Sequence, residues 1–168
     1  FDNLGNLSVG GNASLNGSIQ TNGFQYYNGT TTLLGDTFIR TGPSSDVEFG
    51  AVDGGHDLSI EAGSGRINFF AALGGATPLQ SINLASASAV VAMDTLAIDG
   101  TGGTGPGLRI GPAVGNVNMT TAGSTISNAA QEGVLLAGGS ANTTLSGFTI
   151  SNSGASGVVA LAGNYSGT

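Results

Sequence analysis

Hydrophobic residues alternate with polar ones along most of the chain, in short runs that end at turn residues. Between residues 4 and 19, leucine, valine, alanine and isoleucine recur among glycine, asparagine and serine. The runs at 24–27, 30–34 and 37–40 are similarly short, and each break carries Asn, Asp or Gly. Alternation with a period of two residues predicts β-strands, and no window sustains the spacing of an amphipathic helix.

The segment from Gly123 to Gly139 returns, with changes, from Gly147 to Gly163. The offset is 24 residues, and eight of the seventeen positions are identical. Each copy holds a Thr-Ile-Ser-Asn run and a Gly-Val run, separated by small and polar residues. A period of this length is typical of solenoid proteins, because each repeat buries its apolar side chains only against the next repeat.

A less regular repeat lies in the first half of the chain. Val47-Glu-Phe49 is echoed by Ile67-Asn-Phe69, and Leu58-Ser-Ile60 corresponds to Ile82-Asn-Leu84. With three strands per coil and about 20 to 24 residues per coil, we predict an all-β chain folded as a right-handed parallel β-helix of roughly seven coils. We expect adhesin-type coils over 1–88 and coils with the 24-residue repeat over 89–168, joined in one continuous solenoid.

The 24-residue offset also predicts which side chains stack on one another in adjacent coils. The isoleucines and valines of the repeat should point into the core, and the asparagines should form a ladder of side-chain amides along the rod. The expected pairs are Ile126 with Ile150, Val134 with Val158, and Asn128 with Asn152.

The composition excludes several classes of function. Only 8% of the 168 residues are charged, against about 25% in ordinary domains, while 31 are glycine. The net charge is −7 and the only basic residues are three arginines and one histidine, so there is no basic surface for nucleic acid or anionic lipid. The absence of cysteine excludes a disulfide framework, and no stretch has the length and hydropathy of a membrane span.

The densest group of acids lies between Asp46 and Glu61, and it includes the single His56. Asp53 and Asp57 are candidate calcium ligands or members of an acid–base cluster. The alternative, which we prefer, is a polar turn, since Asp and Gly favour turn dihedrals. We expect no cofactor beyond this candidate calcium and no enzymatic activity, because three arginines and one histidine offer little to neutralise and deprotonate an acidic sugar.

Three further features bear on binding. In alternation Phe24 and Tyr26 share a face that Tyr27 opposes, so one face should be core and the other is a candidate sugar-stacking patch.

The segment Gly102–Gly107 looks superficially like a phosphate loop, but it lacks the following Lys-Ser/Thr and helix, so we interpret it as a flexible turn. The glycosylation motif Asn-X-Ser/Thr begins at Asn6, Asn12, Asn16, Asn28, Asn118, Asn142 and Asn164.

These motifs resemble known families. Thr21-Asn-Gly-Phe-Gln-Tyr-Tyr-Asn-Gly29, Val47-Glu-Phe-Gly-Ala-Val-Asp-Gly-Gly-His-Asp-Leu-Ser-Ile60 and Gly74-Gly-Ala-Thr-Pro-Leu-Gln-Ser-Ile-Asn-Leu84 resemble repeats of very large secreted bacterial adhesins. Those adhesins are related to filamentous haemagglutinin and autotransporter passenger domains. Residues 116–163, with their Ile-Ser-Asn and Gly-Val rhythm, are similar to the parallel β-helix repeat of pectate-lyase-like proteins. The resemblance implies a right-handed β-helix, secretion to the bacterial cell surface, and a role in attachment or a fibrous matrix.

We therefore expect a structural and adhesive segment of an extracellular bacterial surface fibre. The alternatives are a carbohydrate-processing β-helix of pectate-lyase type and a self-assembling extracellular filament subunit. Expected partners are neighbouring coils or copies stacked end to end, and a surface carbohydrate or a host or matrix receptor. Neither end of the sequence carries a recognisable cap, so we expect the solenoid to continue into further coils.

Overall fold

A computed structural model describes residues 4–138 and 142–161, and it shows a parallel β-solenoid. In these described residues, fourteen strands form one hydrogen-bonded sheet, and every pairing between them is parallel. The strands are β1 (Leu7–Val9), β2 (Ala13–Gln20), β3 (Gln25–Tyr27), β4 (Thr31–Arg40), β5 (Val47–Phe49), β6 (Val52–Asp53), β7 (Asp57–Glu61), β8 (Arg66–Phe69), β9 (Ser81–Ala92), β10 (Ala97–Asp99), β11 (Leu108–Ser127), β12 (Val134–Leu136), β13 (Thr143–Ser151) and β14 (Val158–Ala160). In this described part no helix is long and apolar enough to cross a membrane.

Three strand segments per coil give the solenoid three faces. The first face contains β1, β3, β5, β8, 89–92 of β9, 116–119 of β11 and 143–146 of β13. The third face contains 17–20 of β2, 37–40 of β4, β7, 81–86 of β9, 108–110 of β11, β12 and β14. The second face lies between them and includes β6 and β10. The stack rises through about six turns, close to the roughly seven coils that the sequence predicts.

Aliphatic side chains form the core because alternate residues of each strand point inward. On the third face one inward column runs through Ile39, Ile60, Leu84, Ile110 and Leu136, each paired with the next in register. All five side chains are buried. Each coil therefore covers the apolar surface of its neighbour.

An aromatic column fills the first face of the early coils. The ring of Tyr27 stacks on that of Phe49 with centroids 4.8 Å apart, and Phe49 stacks on Phe69 at 5.8 Å. All three rings are buried. Beside them lies the buried Gln25, whose Nε2 donates to the Arg40 carbonyl at 2.8 Å and whose Oε1 accepts from the Tyr27 hydroxyl at 2.8 Å.

The repeat between residues 47 and 84 is confirmed by the register. Val47 pairs with Ile67 and Phe49 with Phe69, while Leu58 pairs with Ile82 in the next coil. Residues at equivalent positions of the repeat therefore occupy equivalent positions in successive coils.

The change of repeat style expected near residue 88 falls inside the continuous strand β9. One core cluster extends across it, from Ile19 to Leu136. What changes is coil length: Val47 pairs with Ile67, 20 positions later, whereas Val90 pairs with Val117, 27 positions later. The longer coils carry longer corner loops, among them the segment 100–107 between β10 and β11.

Candidate ligand groove

The loop at 100–107, which we call the glycine loop, stands beside the outer side of the third face and forms a groove with it. The groove has a volume of about 210 Å³. Its floor comes from β7, β9 and β11, and its wall comes from the glycine loop. The loop forms here because Gly102 adopts a left-handed backbone conformation, with φ of +82°, that few other residues tolerate.

The floor of the groove is a polar column that follows directly from the alternation of the strands. Leu58, Ile60 and Ile82 point inward, so Ser59 and Asn83 point outward. Ser59 pairs with Asn83, and Asn83 pairs with Arg109 in the following coil.

Side-chain hydrogen bonds connect this floor. The Arg109 Nη1 donates to Asn83 Oδ1 at 3.0 Å, and the Ser81 hydroxyl donates to Asp57 Oδ1 at 2.7 Å. Asn83 Nδ2 lies 3.5 Å from the Ser59 hydroxyl, at the limit of a hydrogen bond. All these side chains are half-buried, so they are held in place while their outer atoms remain accessible.

The wall of the groove is braced from both sides. Gln80 Nε2 donates to the Thr101 carbonyl at 3.2 Å, and Gln131 Nε2 donates to the Thr104 carbonyl at 3.1 Å. The Thr101 amide and hydroxyl both donate to the Asp99 carboxylate, at 3.1 and 2.7 Å. The sequence predicts a flexible turn at 102–107 but does not predict these contacts. The side chains that make them lie in other coils or outside the glycine segment.

Arg109 is the cation of the groove. Among the residues that the structure describes, no carboxylate oxygen lies within salt-bridge distance of its guanidinium. Arg40 differs, because its Nε lies 3.4 Å from Glu61 Oε2. The bond to Asn83 uses one of the five N–H groups of the Arg109 guanidinium, and Arg109 lines the groove, so further donors are available to a ligand there.

A second and more open groove of about 740 Å³ follows the corner between the third and first faces. The ion pair of Arg40 and Glu61 lies in its lining, together with Thr41, Pro43 and Ser86. Both charged side chains are substantially exposed, so solvent screens the pair and it contributes little to stability.

The aromatic residues are placed as the alternation predicts. Tyr27 is buried, whereas Phe24 and Tyr26 lie half-exposed on the outer side of the first face and stack on each other at 4.2 Å. Partial burial, Glu48 and Asp46 raise the pKa of the Tyr26 hydroxyl, in that order of importance. Each of the two outer rings has one face covered by the other, which reduces the area left for stacking on a sugar.

The acidic segment around His56 runs from the end of β6 at Asp53, through a bend at 54–56, to the start of β7 at Asp57. Asp53 Oδ1 accepts from the amides of Ala76 and Thr77, at 2.8 and 3.2 Å. Asp57 Oδ1 is held by the Ser81 hydroxyl, and His56 Nδ1 lies 3.8 Å from Asp36 Oδ1. Across residues 4–138 and 142–161, no group of three or more His, Cys, Asp or Glu side chains is arranged to hold a metal ion.

The residues of the 24-residue repeat pair as the offset predicts. Ile126 faces Ile150, and Val134 faces Val158 in the adjacent coil. Ile126 and Val134 are buried, but Ile150 is only half-buried and Val158 is 55% exposed, because the last described coil has no strand above it. The final match of the repeat, Gly139 with Gly163, lies outside the described residues.

The asparagine ladder is present and has a third member that sequence reasoning missed. Asn152 Nδ2 donates to Asn128 Oδ1 at 3.3 Å, and Asn128 Nδ2 donates to Asp99 Oδ1 at 3.0 Å. Both asparagines have φ of +54°, a left-handed conformation that asparagine tolerates better than most residues. Asparagine therefore fits both requirements at these positions: it adopts the left-handed turn conformation, and its side-chain amide forms the ladder.

Comparison with known proteins gives no further assignment. No protein-family model, curated protein or solved structure matches this chain.

Proposed function

We propose that this chain is a structural and adhesive segment of an extracellular bacterial surface fibre. The observation that carries the proposal is the continuity of the stack. A single core passes through the coils from Ile19 to Leu136, and every strand pairing is parallel and in register over most of its length. Such a stack suits a long, stiff element that holds binding surfaces away from a cell, because each coil contacts only its neighbours and coils add along one axis.

The outer surfaces support an adhesive role. Polar columns and half-exposed aromatic side chains lie on two faces, at the groove beside Arg109 and at the pair of Phe24 and Tyr26. Contacts of this kind are individually weak. Repeated along a fibre, they give avidity that far exceeds the affinity of one contact.

The partners in this proposal are a surface carbohydrate or receptor, and further coils or copies along the solenoid axis. In the described part of the chain β14 pairs only with β12, and Val158 on β14 is 55% exposed. A strand with an open edge offers main-chain hydrogen bonds to another strand. Sedimentation velocity over a range of concentrations tests the second kind of partner, since end-to-end assembly increases with concentration and depends weakly on salt.

Adhesion is tested by retention under flow. Beads that carry the chain at graded densities are passed over carbohydrate-coated and matrix-coated surfaces. We expect retention to rise more steeply than in proportion to density, as avidity requires. The control is Ile60→Asp, which places a charge at a fully buried position and should unfold the coil stack. Equal retention of the folded chain and this variant contradicts the proposal.

A carbohydrate-processing enzyme is the second candidate, favoured by Asp46 and Glu48. Glu48 projects from the outer side of β5 and Asp46, two residues earlier, directly precedes that strand, so both side chains lie on the outer side of the first face. Most glycosidases use a pair of carboxyl groups. Asp46 Oδ1 accepts from the Arg66 amide at 2.8 Å, and Glu48 Oε1 accepts from Asn68 at 3.1 Å. These bonds give both carboxylates a structural role, which is why we prefer binding to catalysis.

Incubation with neutral and acidic polysaccharides, with and without calcium, tests the enzymatic candidate. Release of reducing ends that is lost in both Asp46→Asn and Glu48→Gln, but kept in Glu61→Gln, would establish it. We expect no release from the unmodified chain.

A further inference from the structure

We infer that the groove between the glycine loop and the third face binds a hydroxyl-rich ligand that carries one carboxylate, such as a single uronic acid unit. This deepens the proposed adhesive function by naming a ligand class for one of its surfaces. Its biological role rests on that proposal, but the binding itself is measured separately.

The carboxylate is assigned to Arg109. Arg109 is half-buried, and its guanidinium is oriented by the 3.0 Å bond to Asn83 Oδ1. In the described part of the chain this guanidinium has no carboxylate within salt-bridge distance. A guanidinium presents a planar set of donors that matches the two oxygens of a carboxylate. A ligand carboxylate in the groove would provide the charge partner that Arg40 already has in Glu61.

The hydroxyl groups of the ligand are assigned to the rest of the lining. Asp57 offers carboxylate oxygens that accept from hydroxyl groups, and Ser59, Ser81 and Asn83 offer both donors and acceptors. These groups lie on successive coils, about 4.8 Å apart along the axis. A ring substituted with hydroxyl groups at several carbons can contact more than one coil at once.

The volume of the groove and the net charge of the chain further restrict which ligands fit. About 210 Å³ is less than the roughly 300–1,000 Å³ typical of sites for drug-sized ligands, so the groove suits one small polar unit. The net charge of −7 opposes the approach of a highly sulfated or otherwise polyanionic chain. One carboxylate on a neutral, hydroxylated framework meets both conditions.

The groove is also ordered before a ligand binds. The bonds from Gln80 and Gln131 hold the glycine loop at Thr101 and Thr104. A braced wall reduces the conformational entropy that is lost on binding.

Titration of the isotope-labelled chain with glucuronate, followed by amide NMR shifts, tests the inference. We expect saturable shifts at residues 81–83, 100–105 and 107–109, and binding at least about tenfold weaker for glucose and for the methyl ester of glucuronate. A second arm with an oligouronide distinguishes a free sugar acid from a residue within a glycan chain. Equal binding of glucuronate and glucose, or shifts that map elsewhere, would overturn the assignment.

The variants separate the role of Arg109 from the effect of charge in general. Arg109→Gln should weaken glucuronate binding about tenfold or more, and Arg109→Lys should weaken it less, since it keeps the charge but loses the planar donors. Arg66→Gln on the first face removes the same charge outside the groove lining and should bind like the unmodified chain. Unchanged binding by a folded Arg109→Gln chain would refute the inference, whereas the flow experiment decides the adhesive function independently.

Discussion

Asn128 donates its side-chain amide to the carboxylate of Asp99, one coil away, at 3.0 Å. This bond, followed by those from the Thr101 hydroxyl and amide, lowers the pKa of Asp99 below its ordinary value. The Asp99 carboxylate therefore has two structural roles. It ends the ladder that continues to Asn152, and it holds Thr101 in the glycine loop.

The lowered pKa of Asp99 predicts a contribution to acid sensitivity. A carboxyl group whose pKa is lower in the folded than in the unfolded chain stabilises the fold above the unfolded pKa, about 3.9. That contribution is lost as the pH falls from about 4 through the folded pKa. Asp99→Asn should therefore unfold with a weaker dependence on pH in this range, as measured by urea denaturation at pH 2.5 to 7. Asp94→Asn is the control, because Asp94 accepts from the amide of the next residue rather than from another coil. Identical pH profiles for Asp99→Asn and the unmodified chain would contradict the prediction.

The buried bond between Gln25 and Tyr27 predicts a strong coupling between the two residues. Gln25→Leu removes the acceptor of the Tyr27 hydroxyl and the donor to the Ile19 and Arg40 carbonyls, the second of which still accepts from the Thr21 amide. It should lower the free energy of unfolding by about 1–3 kcal/mol. Adding Tyr27→Phe should recover part of that loss, because it removes one stranded donor. Chemical denaturation of both single variants and the double variant measures the coupling. Strictly additive losses would show that the bond contributes nothing specific.

Substitution of Thr31 should change the free energy of unfolding in the opposite direction. It is fully buried, and its hydroxyl has no hydrogen-bond partner in the structure. Valine has the same shape without the hydroxyl, so Thr31→Val should leave stability unchanged or raise it by about 1 kcal/mol. Thr37→Val is a matched control, since the Thr37 hydroxyl donates to the Gly35 carbonyl at 2.9 Å and its removal should destabilise. A loss of stability in Thr31→Val equal to that of the control would mean that the hydroxyl finds a partner in solution.

The two copies of the 24-residue repeat predict unequal effects of truncating an apolar side chain, because apolar residues of the first copy are buried and those of the second are more exposed. Ile126 lies fully buried between coils, whereas Val158 is 55% exposed on the last described strand. Ile126→Ala should cost about 2–5 kcal/mol in the free energy of unfolding, and Val158→Ala less than about 0.5 kcal/mol. Thermal and urea denaturation give both values. A large effect of Val158→Ala would indicate that another strand covers this end of the solenoid.

Much of the fold could be predicted from the sequence, because equivalent positions of successive repeats pair with each other in adjacent coils of a solenoid. The echo of Val47-Glu-Phe49 in Ile67-Asn-Phe69 gave one strand pairing, and the 24-residue offset gave the pairing of Ile126 with Ile150. Neighbouring coils differ by one period, so a local pattern specifies a contact that is distant in sequence. The same alternation predicted that Tyr27 lies opposite Phe24 and Tyr26, but only the structure decided that Tyr27 is on the buried face.

Only the tertiary structure decided where the groove and its polar contacts lie. Asn83 and Arg109 are 26 residues apart, in coils whose lengths change at this point, so no repeat in the sequence aligns them. The same holds for Asp99 and Asn128, which are 29 residues apart and differ in type. Core positions repeat because the same apolar contact is needed in every coil. The groove depends instead on how far one corner loop extends and on which single side chains brace it, and those contacts form only when the coils are stacked.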